Sequence, residues 1–173
     1  MKKLTLCAAA LAFLLAGCDG QNTANSASAG NFTAKQETLS SANAADIKAD
    51  LAQFNGVINS ANSEAVSMRD ELMKANSNND KSAATAVLKK SQSLQESTNA
   101  KLIALTLKSQ EVQGLRLKIV EGNMKAIAMA KIASKDTLSD ADRKELGELG
   151  KQSVVLQMQA GTQLNELNSQ YSK

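Results

Sequence analysis

Residues 43–76 read NAADIKADLAQFNGVINSANSEAVSMRDELMKAN, and their spacing decides the fold. Ile47, Leu51, Phe54, Ile58, Ala61, Ala65, Met68, Leu72 and Ala75 follow one another in alternating steps of four and three without a slip. A step that averages half a heptad draws one narrow apolar stripe along a helix, the seam of a coiled coil or bundle. Asn43 with Asp46 three residues later resembles a capping box, Asp standing in for Glu, and marks the start. The run Asn76-Ser77-Asn78-Asn79-Asp80 is a turn by composition, and Asp80 is placed to cap the next helix.

Downstream, residues 81–134 contain no strong stop and are expected to form one long helix, roughly 80 Å at 1.5 Å per residue. Its early part is thinly apolar, with Ala84, Val87, Leu88, Leu94 and Leu102. Its later part carries Leu105, Leu107, Val112, Leu115, Leu117, Ile119, Val120, Ile127, Met129 and Ile132 on more than one face, as contact with several neighbours requires. Gly114 and Gly122 weaken a helix by about 1 kcal/mol each relative to alanine, and mark a kink, a break or a place where helices approach closely. Lys135-Asp136-Thr137-Leu138 reads as the next turn. Ser139 is placed as an N-cap with Asp140 and Asp142 in the first turn, where the helix dipole favours negative charge. The last helix turns Leu146, Leu149, Leu156, Ala160, Leu164, Leu167 and Tyr171 inward, and Gly147, Gly150 and Gly161 point to close packing.

The expected fold is therefore all-α, an elongated antiparallel bundle of three long helices over residues 41–173. The first helix pairs with the early half of the middle one and the last with its later half, so the two overlap near residues 102–117. The alternative is a four-helix bundle with the middle helix broken near Gly114 or Gly122. The absence of proline agrees with long helices. Aromatic residues make up only 2% of the chain, which limits the core to narrow seams.

The segment before the bundle has a different character. Met1-Lys2-Lys3 is basic and Leu4–Leu15 is apolar, too short for a ~30 Å hydrocarbon core; residues 1–17 read as a cleaved export signal. Leu15-Ala16-Gly17-Cys18 resembles the lipobox of bacterial lipoproteins. The resemblance implies cleavage between Gly17 and Cys18, a diacylglycerol thioether on Cys18 and an N-acyl chain on its amine. One acyl chain binds a bilayer reversibly, whereas two or three hold firmly. Asp19 resembles the enteric signal that retains a lipoprotein in the inner membrane; the outer membrane is the alternative. Residues 18–40, rich in Asn, Ser, Ala, Thr and Gln, are expected to serve as a flexible tether reaching roughly 25 Å.

The chemistry-bearing residues are few. Histidine is absent, so the commonest general base and metal ligand is missing. With Cys7 and Lys2-Lys3 lost in the signal, one cysteine remains, and 18 of the 20 basic residues face 17 acidic ones. That balance gives no electrostatic reason to expect nucleic acid. Asp46 with Asp50 and Asp142 with Glu145 share helix faces, but neither pair gathers enough ligands for a metal. No serine sits on a nucleophile elbow, and Gly147–Gly150 lies inside a helix rather than a phosphate loop. Met68, Met73, Met124, Met129 and Met158 fit core filling better than an adaptable binding surface. Lys101, Lys108, Lys118, Lys125 and Lys131 fit a solvated face better than a headgroup-binding stripe. Tyr171-Ser172-Lys173 resembles the ending of the major peptidoglycan-linked lipoprotein of enteric bacteria, in which the terminal lysine is joined to the wall; Tyr171 and Lys173 match.

The expected function is that of a non-enzymatic envelope lipoprotein facing the periplasm, with no cofactor and no metal, acting as a spacer or a binding module for another envelope protein. The alternative is a structural lipoprotein that self-associates or attaches to peptidoglycan through Lys173. Replacing Cys18 by Ala is expected to move the protein from the membrane to the soluble fraction of broken cells. Retention of Cys18→Ala in the membrane pellet would sink the lipid anchor.

Overall fold

The computed structural model describes residues 39–135 and 137–172, which form four α-helices. They are α1 (Ala44–Ser77), α2 (Lys81–Ala104), α3 (Gln110–Ala133) and α4 (Asp140–Tyr171). The fold is all-helical, and it corrects the three-helix expectation: the middle helix is broken, and the four helices match the alternative in number. The break also lies elsewhere than expected. Gly114 and Gly122 are inside α3, and the chain turns at residues 105–109 instead. Neither glycine is required by its surroundings. A β-carbon on Gly114 would have only Gln163 Nε2 within reach, at 3.9 Å, and one on Gly122 would meet Gln157 and Leu156 at ordinary contact, 3.6 and 3.8 Å.

The start signals act much as their residue types dictate. The Asn43 side chain accepts from the backbone N–H of Ala45 and Asp46, at 3.1 and 3.3 Å. Asp80 accepts from Ala83 N–H at 2.9 Å, so α1 and α2 are joined by a short capped turn in which Asn79 takes the left-handed conformation, φ 52°. Ser139 and Asp142 form a complete capping box on α4. Asp142 also accepts from Lys135 Nζ at 2.5 Å. Lys135 first, then Ser139, hold its carboxyl down to about 2.

The stripe of α1 faces the core as its spacing requires. Ile47, Leu51, Phe54, Ile58, Ala61, Ala65, Leu72 and Ala75 are all buried. Helices α1 and α2 form one antiparallel hairpin and α3 and α4 a second. The hairpins share a core at one end only. There Ile47, Leu51, Phe54 and Ile58 of α1 meet Leu102 of α2, Leu107 of the break, Val112, Leu115 and Val120 of α3, and Ala160 and Leu167 of α4. Away from that end each hairpin has a small core of its own: Leu72 and Ala75 against Ala84 and Val87 in the first, Met129 and Ile132 against Leu146 in the second. The multiply apolar stretch near 102–117 is thus where all four helices converge, and the convergence includes a reversal of the chain.

Between the hairpins the contacts are more polar. Asn123 Nδ2 donates to Asn99 Oδ1 at 2.8 Å, both buried. Ser91, Gln95 and Thr98 are buried on α2 as well, and Asn55 of α1 donates to Asn168 of α4 at 2.9 Å. Apolar seams therefore hold each hairpin together, while polar side chains fix the register of one against the other.

Gly56 faces solvent with open space around its missing β-carbon. Gly56→Ala is expected to raise stability by about 0.5–1 kcal/mol through helix propensity alone. A denaturant midpoint at or below that of the parent would contradict these open surroundings.

Candidate functional site at the helix break

Leu105-Thr106-Leu107-Lys108-Ser109 contains neither glycine nor proline, so the break is imposed by partners rather than by local chemistry. Ending α2 strands backbone carbonyls and starting α3 strands backbone N–H groups, close to the shared apolar core, where each needs a partner. Two charged side chains supply them from other parts of the fold.

Asp50 of α1, 1% exposed, provides the acceptor. Its Oδ2 accepts from the backbone N–H of Lys108 at 2.9 Å, from that of Ser109 at 2.7 Å and from the Ser109 hydroxyl at 2.7 Å. Ser109 is the N-cap residue of α3 but makes no side-chain capping bond of its own; its hydroxyl donates to Asp50. A carboxylate at a helix N-terminus is favoured by the dipole as well as by the hydrogen bonds.

Arg116 of α3, 7% exposed, provides the donors. Its Nη1 donates to the carbonyls of Leu102, Ile103 and Leu105 at 3.2, 3.4 and 2.7 Å, and its Nη2 to Gln113 Oε1. The last carbonyls of α2 are thereby capped by a guanidinium from the next helix. Burial lowers the Arg116 pKa, and attraction to Asp50 works against that lowering. Arginine remains charged across the physiological range regardless.

A third strand of chain lies over the break. Ser40 N–H donates to Lys108 O at 2.8 Å, and Gln110 N–H donates to Ser40 O at 2.9 Å. These form an isolated parallel bridge between Ser40 and Ser109. The Ser40 hydroxyl adds a bond to Lys108 O at 3.1 Å, and Ala42 N–H donates to Glu111 Oε1 at 2.7 Å. Ala42 adopts φ 57°, the left-handed region that a β-carbon disfavours, so this seating carries backbone strain. The end of the segment expected to be tether is thus bonded to the body.

Gly17, Cys18, Asp19 and Lys173 lie outside the described residues, as do residues 1–38 generally. Asp46 and Asp50, paired in the sequence by spacing, are separated in role: the backbone of Asp46 is capped by Asn43 while Asp50 is drawn inward. Among the described residues no group of three His, Cys, Asp or Glu side chains is placed to hold a metal ion. Among them, too, no helix is long and apolar enough to cross a membrane. Of the lysine stripe, Lys118 and Lys125 turn to α4, donating to Gln163 at 2.6 Å and Gln152 at 2.9 Å.

The sequence singled out Asp50 only as a carboxylate paired with Asp46, and Arg116 not at all, although a signal for their burial existed. Asp50 stands three residues after Ile47 and four before Phe54. Arg116 stands four after Val112 and four before Val120. A charge at those steps lies on the apolar side of its helix and needs a buried partner.

An all-helical body reached through an amino-terminal lead segment defines a class of protein rather than an activity. Residues 48–172 match the family described as uncharacterised lipoprotein PM1805, and the chain belongs to that bacterial lipoprotein family. No curated protein and no solved structure matches the chain.

Asp50→Ala leaves two backbone N–H groups without their acceptor and Arg116 without its opposing charge. It is expected to cost about 3–5 kcal/mol, the range for a broken buried charge. Amide exchange at Lys108 and Ser109 should accelerate before the rest of the bundle opens. A loss under about 1 kcal/mol with those amides still protected, measured by urea melts and hydrogen exchange, would contradict the capping role.

Proposed function

We propose that this lipoprotein is a non-enzymatic, lipid-anchored binding module that presents its two helical hairpins to another protein of the bacterial envelope. Cys18 carries the diacylglycerol and N-acyl chains, and Asp19 directs the protein to the inner membrane, facing the periplasm. Family membership supports association with the envelope. One observation carries the finer reading: the chain arriving from the anchor is bonded to the helix break, at the end where all four helices share a core. The hairpin tips are the ends remote from that attachment. Helix α1, about 50 Å long at 1.5 Å per residue, sets how far the first tip extends from it.

The surfaces offered to a partner are apolar. Val66 and Met73 are exposed on the first hairpin, and Met124, Val154, Val155 and Met158 on the second, so Met73, Met124 and Met158 do not fill the core as expected. Val154, Val155 and Met158 lie within one turn of α4, on the side away from its buried residues. Exposed Met and Val beside one another suit a protein partner that covers them. The same patch suits a second copy of this chain, which keeps self-association as the alternative.

Site-specific photocrosslinking in intact cells tests the module. A crosslinker at Val155 or Met73 should yield a discrete adduct that Met158→Asp weakens at the α4 site. An adduct of twice the monomer mass would select self-association. No adduct at any of the exposed apolar positions would overturn binding as the function.

A further inference from the structure

We propose that the end of the bundle carrying the helix break is a membrane-contact surface, seated on anionic lipid headgroups with Ile103 as its apolar contact. The inference rests on the lipid anchor at Cys18 and goes beyond it, because an anchor alone leaves the body free to present any side to the bilayer.

Three observations converge on that end. The first is where the anchored chain arrives. Twenty residues separate Cys18 from Leu39, at most about 70 Å when fully extended. From Leu39 to Ala42 the chain is bonded along residues 108–111. The strained φ of Ala42 is held by the bond to Glu111, so the arrival point is fixed on the break. A short link of this kind keeps its target at about millimolar effective concentration, enough for a weak surface contact to be occupied.

The second observation is exposed apolar surface. Ile103, in the last turn of α2, is 46% exposed although its neighbour Leu102 is fully buried. Leu105 is half-buried and Thr106 exposed beside it.

The third is charge. Lys101 and Lys108, on either side of Ile103 in the chain, are exposed, as is Lys48 near the start of α1. Among the described residues the acidic groups of the same end are Asp46 and Glu111, both half-buried, the buried Asp50, and the exposed Glu166 toward the end of α4. Glu111 is turned to Ala42 and Asp50 to the break. An isoleucine with lysines to either side is the composition that rests at an interface, the apolar group among acyl chains and the ammonium groups at phosphate level.

The test uses the full lipidated chain in vesicles with bromine on the acyl chains. Ile103→Cys, and separately Thr106→Cys, carry an environment-sensitive fluorophore; Met73→Cys at the remote tip is the comparison. Flotation of each labelled protein reports the anchor first. The expected result is quenching at position 103 or 106 at least about twofold greater than at position 73, rising when phosphatidylglycerol is included and falling in Lys101→Gln/Lys108→Gln. Protein that floats with positions 103 and 106 quenched no more than 73 overturns the seat while leaving the anchor intact. Quenching indifferent to phosphatidylglycerol overturns the anionic partner. Protein that does not float, with Cys18 still reactive to maleimide, overturns the anchor and the seat together.

Discussion

Everything in this fold turns on a reversal of the chain that no residue within it would choose. Leu105–Ser109 has the composition of a helix or a strand, and it lies where four apolar seams meet. Two buried charges resolve the conflict. Asp50 gives the first N–H groups of α3 an acceptor, and Arg116 gives the last carbonyls of α2 a donor. The pair acts through these backbone groups and through the mutual field, with no hydrogen bond between the two side chains among the described residues. Burying either charge alone would be costly; burying both, each aimed at the helix end whose dipole suits it, lets the chain fold back.

That arrangement also explains why the core is uneven. Large side chains such as Phe54, Leu102, Val112 and Leu115 gather round the break, while the first tip is closed by Leu72 with alanine and valine and the second by Met129, Ile132 and Leu146. Between the hairpins, Asn99 and Asn123 replace apolar contact. Such pairs specify register more than they add stability, since a slipped pairing would bury an amide without a partner. The result is a bundle tightly specified at one end, with hairpins that depend on their own seams at the other. The extended segment at Ser40 joins the specified end, which ties whatever precedes it to the best-packed part of the molecule.

For a lipoprotein this has a simple consequence. The amino-terminal approach and the end of α4, where Tyr171 packs against the shared core, lie at the same end. The body is therefore a folded-back structure and not a rod with its termini far apart.

The sequence alone determined the helices that carry their own signals. The unbroken steps of four and three made α1 a helix and named its buried face, because amphipathic spacing is a local property of the chain. Asn43, Asp80 and Ser139 marked starts for the same reason. The lipobox-like Leu15-Ala16-Gly17-Cys18 pointed to the lipoprotein class that family membership gives. What only the tertiary structure decided was the number of helices. Gly114 and Gly122 are weak points by propensity, worth about 1 kcal/mol each, and the chain passes through both as helix. It breaks at a stretch with no local weakness because Asp50, far earlier in the chain on α1, and Arg116, on the following helix, satisfy the exposed backbone ends there. Propensity is summed over neighbours in sequence, whereas a cap supplied from another helix exists only once the helices have packed.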